Sequence, residues 1–181
     1  VYVYNNVVYK NGNDGILVYD WGLTGRPNPP SPLPAARNIH VFNNTVYKNA
    51  QIRNWYGGIA IDHKFATSIF IRNNLTFGNP SNIRRYNVPT GTVIDNNIET
   101  SGLVKNADTG DFSLIAGSSA LDTGSTNIPF SLNFDFNNTP RPFGSRLDVG
   151  AFEYVFIPAP VIVPTSGQGT TETTYLSDME P

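Results

Sequence analysis

Apolar and polar residues alternate over short stretches of this chain, and each stretch ends at a pair of asparagines. Val1 and Val3 precede Asn5-Asn6, Ile39 and Val41 precede Asn43-Asn44, and Ile69 and Ile71 precede Asn73-Asn74. A fourth pair, Asn96-Asn97, stands in IDNNIETSG (94–102). A period of two predicts strands with one face inward. After each pair a second short strand is predicted, with Val8 or Val46 inward. A third follows in DGILVYD (14–20), GGIAIDH (57–63) and NIRRY (82–86). The first asparagines of the pairs lie 38, 30 and 23 residues apart. A constant motif at varying steps predicts a solenoid whose coils carry loops of different length. With three short strands per coil, that solenoid is a parallel β-helix, an all-β fold.

Asparagine is depleted in strands, so its recurrence needs a reason. A bend between two strands needs a residue at positive φ, which Asn tolerates better than other non-glycine residues. Its partner can point into the core, where an amide carries both donors and acceptors. Coils stack at roughly 4.8 Å, so each inward Asn can bond the Asn above and below it. Asn11, Asn49 and Asn79, six residues after each first Asn, predict a second ladder. Three Asn-x-Ser/Thr sequons begin at Asn43, Asn74 and Asn137. Asn43 is expected to face inward and Asn74 to occupy the bend, so all three read as by-products of the repeat rather than as glycosylation sites.

Residues 1–101 read as β-helix coils. Two insertions break them: DWGLTGRPNPPSPLPAAR (20–37), with five prolines, and AQIRNWYGG (50–58). Proline excludes regular strand from the first. Between 102 and 154 the Asn pairs give way to GSSALDTG, which predicts a helical turn capped by Ser118 and stopped at Gly124, and to DFNNTPRPFGSRLDVGAFEY, which ends in a strand. Residues 102–154 are expected to form a terminal coil and a cap over the open end. Residues 155–173 have the Pro, Gly and Thr content of a linker. Residues 174–181 would begin a further domain, and more coils would precede Val1.

Composition narrows the possible functions. Among 181 residues there are 22 asparagines, no cysteine and a formal charge of −2. No basic field suggests nucleic acid. No disulfide framework or thiol nucleophile is available, and no apolar run approaches the ~20 residues of a membrane span.

NIHVFNNTVYKN and SIFIRNNLTFGN, with GGIAI after the first, resemble coils of the right-handed parallel β-helices of secreted polysaccharide lyases. The likeness is to the pectate lyase group of family nine, with its asparagine ladder. GDFSLIAGSSALDTGS and DFNNTPRPFGSRLDVGAFEY resemble the C-terminal end of bacterial choice-of-anchor Q β-helix proteins. TYLSDMEP is similar to the opening of a carbohydrate-binding module of the NPCBM type. These resemblances imply a secreted or cell-surface, multidomain, glycan-directed bacterial protein whose partner is an acidic polysaccharide.

They also imply where chemistry would sit. Lyases of this fold remove a proton α to a uronate carboxylate, using Ca²⁺ or Arg to neutralise the carboxylate and Lys or Arg as base. When the third strands are aligned, Leu17, Ala60 and Arg84 stack outward, as do Tyr19, Asp62 and Tyr86. Asp20, His63 and Asn87 follow at the turn, with Lys64 one step beyond. This brings Asp62, His63 and Lys64 within one coil of Arg84 and Arg85, a candidate catalytic patch. Arg85 faces outward, or else points inward, where it needs buried partners or a terminal coil open to solvent. Trp21, Trp55 and Tyr56 are loop aromatics suited to sugar rings, and Tyr19 and Tyr86 extend that set. Ca²⁺ wants 6–8 oxygens, and Asp20 and Asp62 are the acids near this groove. Asp108 and Asp111 read as turn formers. The full aspartate cluster of family nine is not present in these residues. Three readings follow: a polysaccharide lyase, a non-catalytic glycan-binding or surface-structural β-helix, and a glycoside hydrolase on two carboxylates.

Overall fold

The computed structural model describes residues 1–19, 36–52, 55–63, 66–158, 161–162 and 173–174. Four coils stack in one direction. The first holds β1 (Tyr2–Tyr4), β2 (Val7–Tyr9) and β3 (Ile16–Tyr19). The second holds β4 (Arg37–Phe42), β5 (Thr45–Tyr47) and β6 (Ile59–Asp62). The third holds β7 (Thr67–Arg72), β8 (Leu75–Phe77) and β9 (Ile83–Arg85), and a fourth coil starts with β10 (Val93–Asp95). The strands make three parallel sheets, ordered β1-β4-β7-β10, β2-β5-β8 and β3-β6-β9. This is the right-handed parallel β-helix read from the sequence.

Inside, equivalent positions align into files. Val3, Val41, Ile71 and Ile94 form one, and Ile16, Ile59 and Ile83 another. These side chains belong to a single apolar core. The file of Val18 and Ile61 ends in Arg85. Arg85 therefore occupies an inward register, and it is exposed because the third sheet ends at β9.

Asn5, Asn43, Asn73 and Asn96 all adopt positive φ, between 51° and 56°. They make the bend between the first and second strands, as expected. Their neighbours form the inner ladder. The amide of Asn6 donates to Asn44 Oδ1 at 2.9 Å, Asn44 to Asn74 at 2.9 Å, and Asn74 to Asn97 at 2.9 Å. The sequence assignment of the two sequon residues is therefore reversed: Asn43 is the bend residue and Asn74 is the inward one. Both are fully buried. The second ladder runs from Asn11 to Asn49 and Asn79 and ends on Asn82. It also explains the glycine before β3 and before β6. A Cβ on Gly15 would lie 2.8 Å from Asn49 Nδ2, and one on Gly58 would lie 2.6 Å from Asn79 Nδ2.

Residues 102–154 lie along the side of the solenoid rather than only at its end, because the bend asparagines offer them amide groups at every coil. Asn5 Nδ2 donates to Phe134 O, Asn43 Nδ2 to Asp148 O, Asn73 Nδ2 to Ser125 O and Asn96 Nδ2 to Thr123 O. The segment contributes an antiparallel pair, β11 (Val104–Asn106) and β12 (Asp111–Leu114), joined by a 3-10 turn at Ala107–Thr109. Phe112 packs edge-on against Tyr9 and Tyr47, building a second apolar cluster on the outside of β2-β5-β8. Phe130 packs edge-on against Tyr2, Tyr4 and Phe42, outside β1-β4-β7. Ser118 Oγ accepts from Ala120 N–H, and the expected helical turn there is a run of turns instead. Asp111 holds Ser113 N–H as a turn former does, whereas Asp108 is a clamp. Its carboxylate takes Tyr47 OH and Lys48 Nζ, both at 2.7 Å.

Beyond Phe152, the exposed residues Val155, Phe156 and Ile157 lead to a small antiparallel pair, β13 (Val161–Ile162) with β14 (Thr173–Thr174). Most of the expected linker and nearly all of the expected carbohydrate-binding segment, 174–181, lie outside the described residues.

Candidate functional site

The segment 102–154 packs on two faces of the solenoid, with Phe112 outside β2-β5-β8 and Phe130 outside β1-β4-β7. On the third face, the outer side of β3-β6-β9, Leu17 is 47% exposed, Tyr19 42% and Tyr86 71%. The alignment expected from the sequence holds here. Tyr19 pairs with Asp62 and Leu17 with Ala60, while Ala60 pairs with Arg84. Tyr86 N–H donates to Ile61 O, which continues the stack. Tyr19, Asp62 and Tyr86 thus form one outward file, an aspartate between two tyrosines. Ala60 keeps the outward register and is nevertheless fully buried.

Asp62 is held by Asn87, whose Nδ2 donates to Oδ1 at 2.6 Å, and by Arg84, with Nη2 3.8 Å from Oδ2. Arg84 Nη1 donates to Trp55 O at 3.1 Å, and its guanidinium lies 5.6 Å from the Tyr86 ring centroid. The shorter insertion therefore does rim this face. It approaches closely enough that a Cβ on Gly57 would lie 3.0 Å from Arg84 Cβ. Trp55 is exposed and Tyr56 half-buried beside it, with ring centroids 6.1 Å apart.

Other expected members sit elsewhere or fall outside view. His63 is buried, and its Nδ1 accepts Ala66 N–H at 3.0 Å. Alternation explains this: Ile59 and Ile61 point inward and Asp62 outward, so His63 falls on the inward side, where its N–H bonds Asn87 O. That side chain closes the turn and does not line the face. Lys64, Trp21 and Asp20 lie outside the described residues.

One contributor, Asp14, is absent from the sequence-level set. Its Oδ1 accepts Gly57 N–H at 2.6 Å. Burial pushes its carboxyl above the ordinary range; Gly57 N–H and Arg84 pull it down, and the like charge of Asp62 pushes it up. Asp14, Asp62 and Arg84 therefore form one electrostatic cluster spread over three coils. Removing Arg84 as Arg84→Met is expected to raise the Asp14 pKa further, and Asp62→Asn to lower it. Carboxyl carbon shifts followed against pH check this, and an Asp14 titration indifferent to both changes would contradict the cluster.

Among the described residues, no group of three or more His, Cys, Asp or Glu is arranged to hold a metal ion. Asp62 and Asp14 bond Asn87 Nδ2 and Gly57 N–H, and Asp20, the other acid expected near the groove, lies outside the described residues.

Comparison of the chain with protein-family models, with curated proteins and with solved structures finds no significant match.

Proposed function

We propose that this chain belongs to an extracellular glycan-directed β-helix protein, and that its third face holds polysaccharide. One observation carries the reading: the third face presents the exposed rings of Tyr19, Tyr86 and Trp55 around polar Asp62, Arg84 and Asn87. Aromatic rings offer apolar faces to the C–H side of a sugar, and the polar groups between them can order its hydroxyls. Successive coils are about 4.8 Å apart, so Tyr19 and Tyr86 span two coil steps and can engage sugars on either side of one seated over Asp62. Affinity electrophoresis through gels containing neutral or uronate polysaccharide tests the reading. Wild type should be retarded by at least one polymer and the Tyr19→Ala/Tyr86→Ala double variant should not; no retardation by any polymer would refute it.

A second reading, polysaccharide lyase, is favoured by the cation on this same face. Arg84, beside Asp62, would neutralise a uronate carboxylate, and the base that takes the α proton, read from the sequence as Lys64, lies outside the described residues. The reaction's unsaturated product absorbs in the ultraviolet. Absence of that signal from a binding-competent protein would leave glycan binding alone.

A further inference from the structure

At the fourth coil the solenoid ends open. β10 pairs with β7 alone and β9 with β6 alone, so each presents one edge of unpaired backbone N–H and C=O groups. Such an edge is a template for a further strand. The inward file of Val41 and Ile71, both fully buried, ends in Ile94, which is only half-buried. Two other inward files end in charges. Arg85 follows Val18 and Ile61. Ile98 bridges Leu75, so Glu99 falls opposite Thr76, in the file of Val46. Arg85 and Glu99 are both exposed, and neither side chain has a hydrogen-bond or ion-pair partner among the described residues.

These features select an occupant. A foreign strand of one charge would pair either Arg85 or Glu99 and leave the other unmet. A surface that carries one cation, one anion and open strand edges is complementary to itself, as a two-fold interface requires: residue i meets j, and j meets i. We propose that this end docks on the same end of a second copy, with Arg85 of each chain meeting the partner's Glu99. The geometry follows from the path of the chain, which makes β10, the 98–100 segment and β9 three successive sides of the end. A two-fold axis through the middle of β10 lays β10 antiparallel on its copy, Ile94 against Ile94. The same rotation exchanges the other two sides. It sets β9 antiparallel to the partner's 98–100 segment and brings Arg85, last in β9, to the partner's Glu99. The contact is separate from the third face and does not depend on glycan binding there.

Sedimentation velocity of the intact chain over a range of concentrations tests the proposal, and a reversible dimer is expected. Arg85→Glu and Glu99→Arg, both at exposed positions, should each weaken it at least about tenfold, because like charges then face each other twice. The double reversal Arg85→Glu/Glu99→Arg should restore it. The chain has no cysteine, so crosslinking gives a second measurement. An oxidised mixture of the Arg85→Cys and Glu99→Cys variants should yield a disulfide-linked dimer, and neither variant alone should. A monomer at every concentration, a dimer indifferent to both reversals, or a double reversal as weak as the single ones would overturn the proposal. So would crosslinking as efficient in either single variant as in the mixture. Tyr19→Ala/Tyr86→Ala should leave the dimer intact; its loss would move the contact to the third face and overturn the end-to-end assignment.

Discussion

Glu153→Ala is expected to destabilise the protein by about 3–5 kcal/mol, the usual cost of removing one partner from a buried ion pair. Glu153 and Arg141 both have fully buried side chains and lie within ion-pair distance. Glu153 also accepts from Phe143 N–H and Asp148 N–H, each at 3.0 Å, so alanine would leave two backbone donors as well as a guanidinium without it. Asp135 extends the same knot. It accepts from Asn137, Thr139 and Glu153 N–H, tying residues 135–153 into one unit. Burial pushes the Glu153 carboxyl above its ordinary range despite these bonds, which marks how strongly the site is desolvated. Urea unfolding of wild type and variant measures the difference. In a double-mutant cycle, Arg141→Met with Glu153→Leu should cost less than the two single changes added, because both charges leave together. Strict additivity would mean that the two groups do not act as a pair.

The second large effect belongs to the inner ladder. Asn74→Leu keeps similar volume and removes a fully buried amide. Asn74 donates to Val41 O, Arg72 O and Asn97 Oδ1, and it accepts from Asn44 N–H and Nδ2. Each buried polar group left without a partner costs about 1–3 kcal/mol, so the total loss should reach at least about 3 kcal/mol. Asn6→Leu, at the exposed first rung, should cost no more than about 1 kcal/mol, because water replaces the missing partners. Equal effects at the two rungs in denaturant titrations would contradict a ladder whose strength comes from burial.

These two regions differ in how far the sequence reveals them. The ladder is legible because a stacked solenoid repeats one solution at each coil, so Asn44 and Asn74 recur in the same local pattern. Strand pairing, the outward file of Tyr19, Asp62 and Tyr86, and the second ladder follow from the same periodicity. Asn82 was not read as the last rung because it stands three residues after Asn79, off the period. The position of 102–154 was not legible because its partners are carbonyls and amides on distant coils, such as Asn43 with Asp148. Asp14 is not legible as a site residue for a related reason. It precedes β3, and its link to Asp62 and Arg84 arises only when three coils stack. His63 is grouped with Asp62 and Lys64 by adjacency, whereas the alternation that places Ile59 and Ile61 inward carries its ring inward too.

The glycan reading depends on which face a polysaccharide covers, and hydroxyl-radical footprinting of the intact chain with and without a retarding polymer measures this directly. If the third face is the binding surface, oxidation of Tyr19, Trp55 and Tyr86 falls when polymer is present. Tyr2, Phe134 and Phe136, exposed elsewhere on the protein, should keep their reactivity. Protection of those three residues, with Tyr19, Trp55 and Tyr86 left as reactive as in the free protein, would contradict the account.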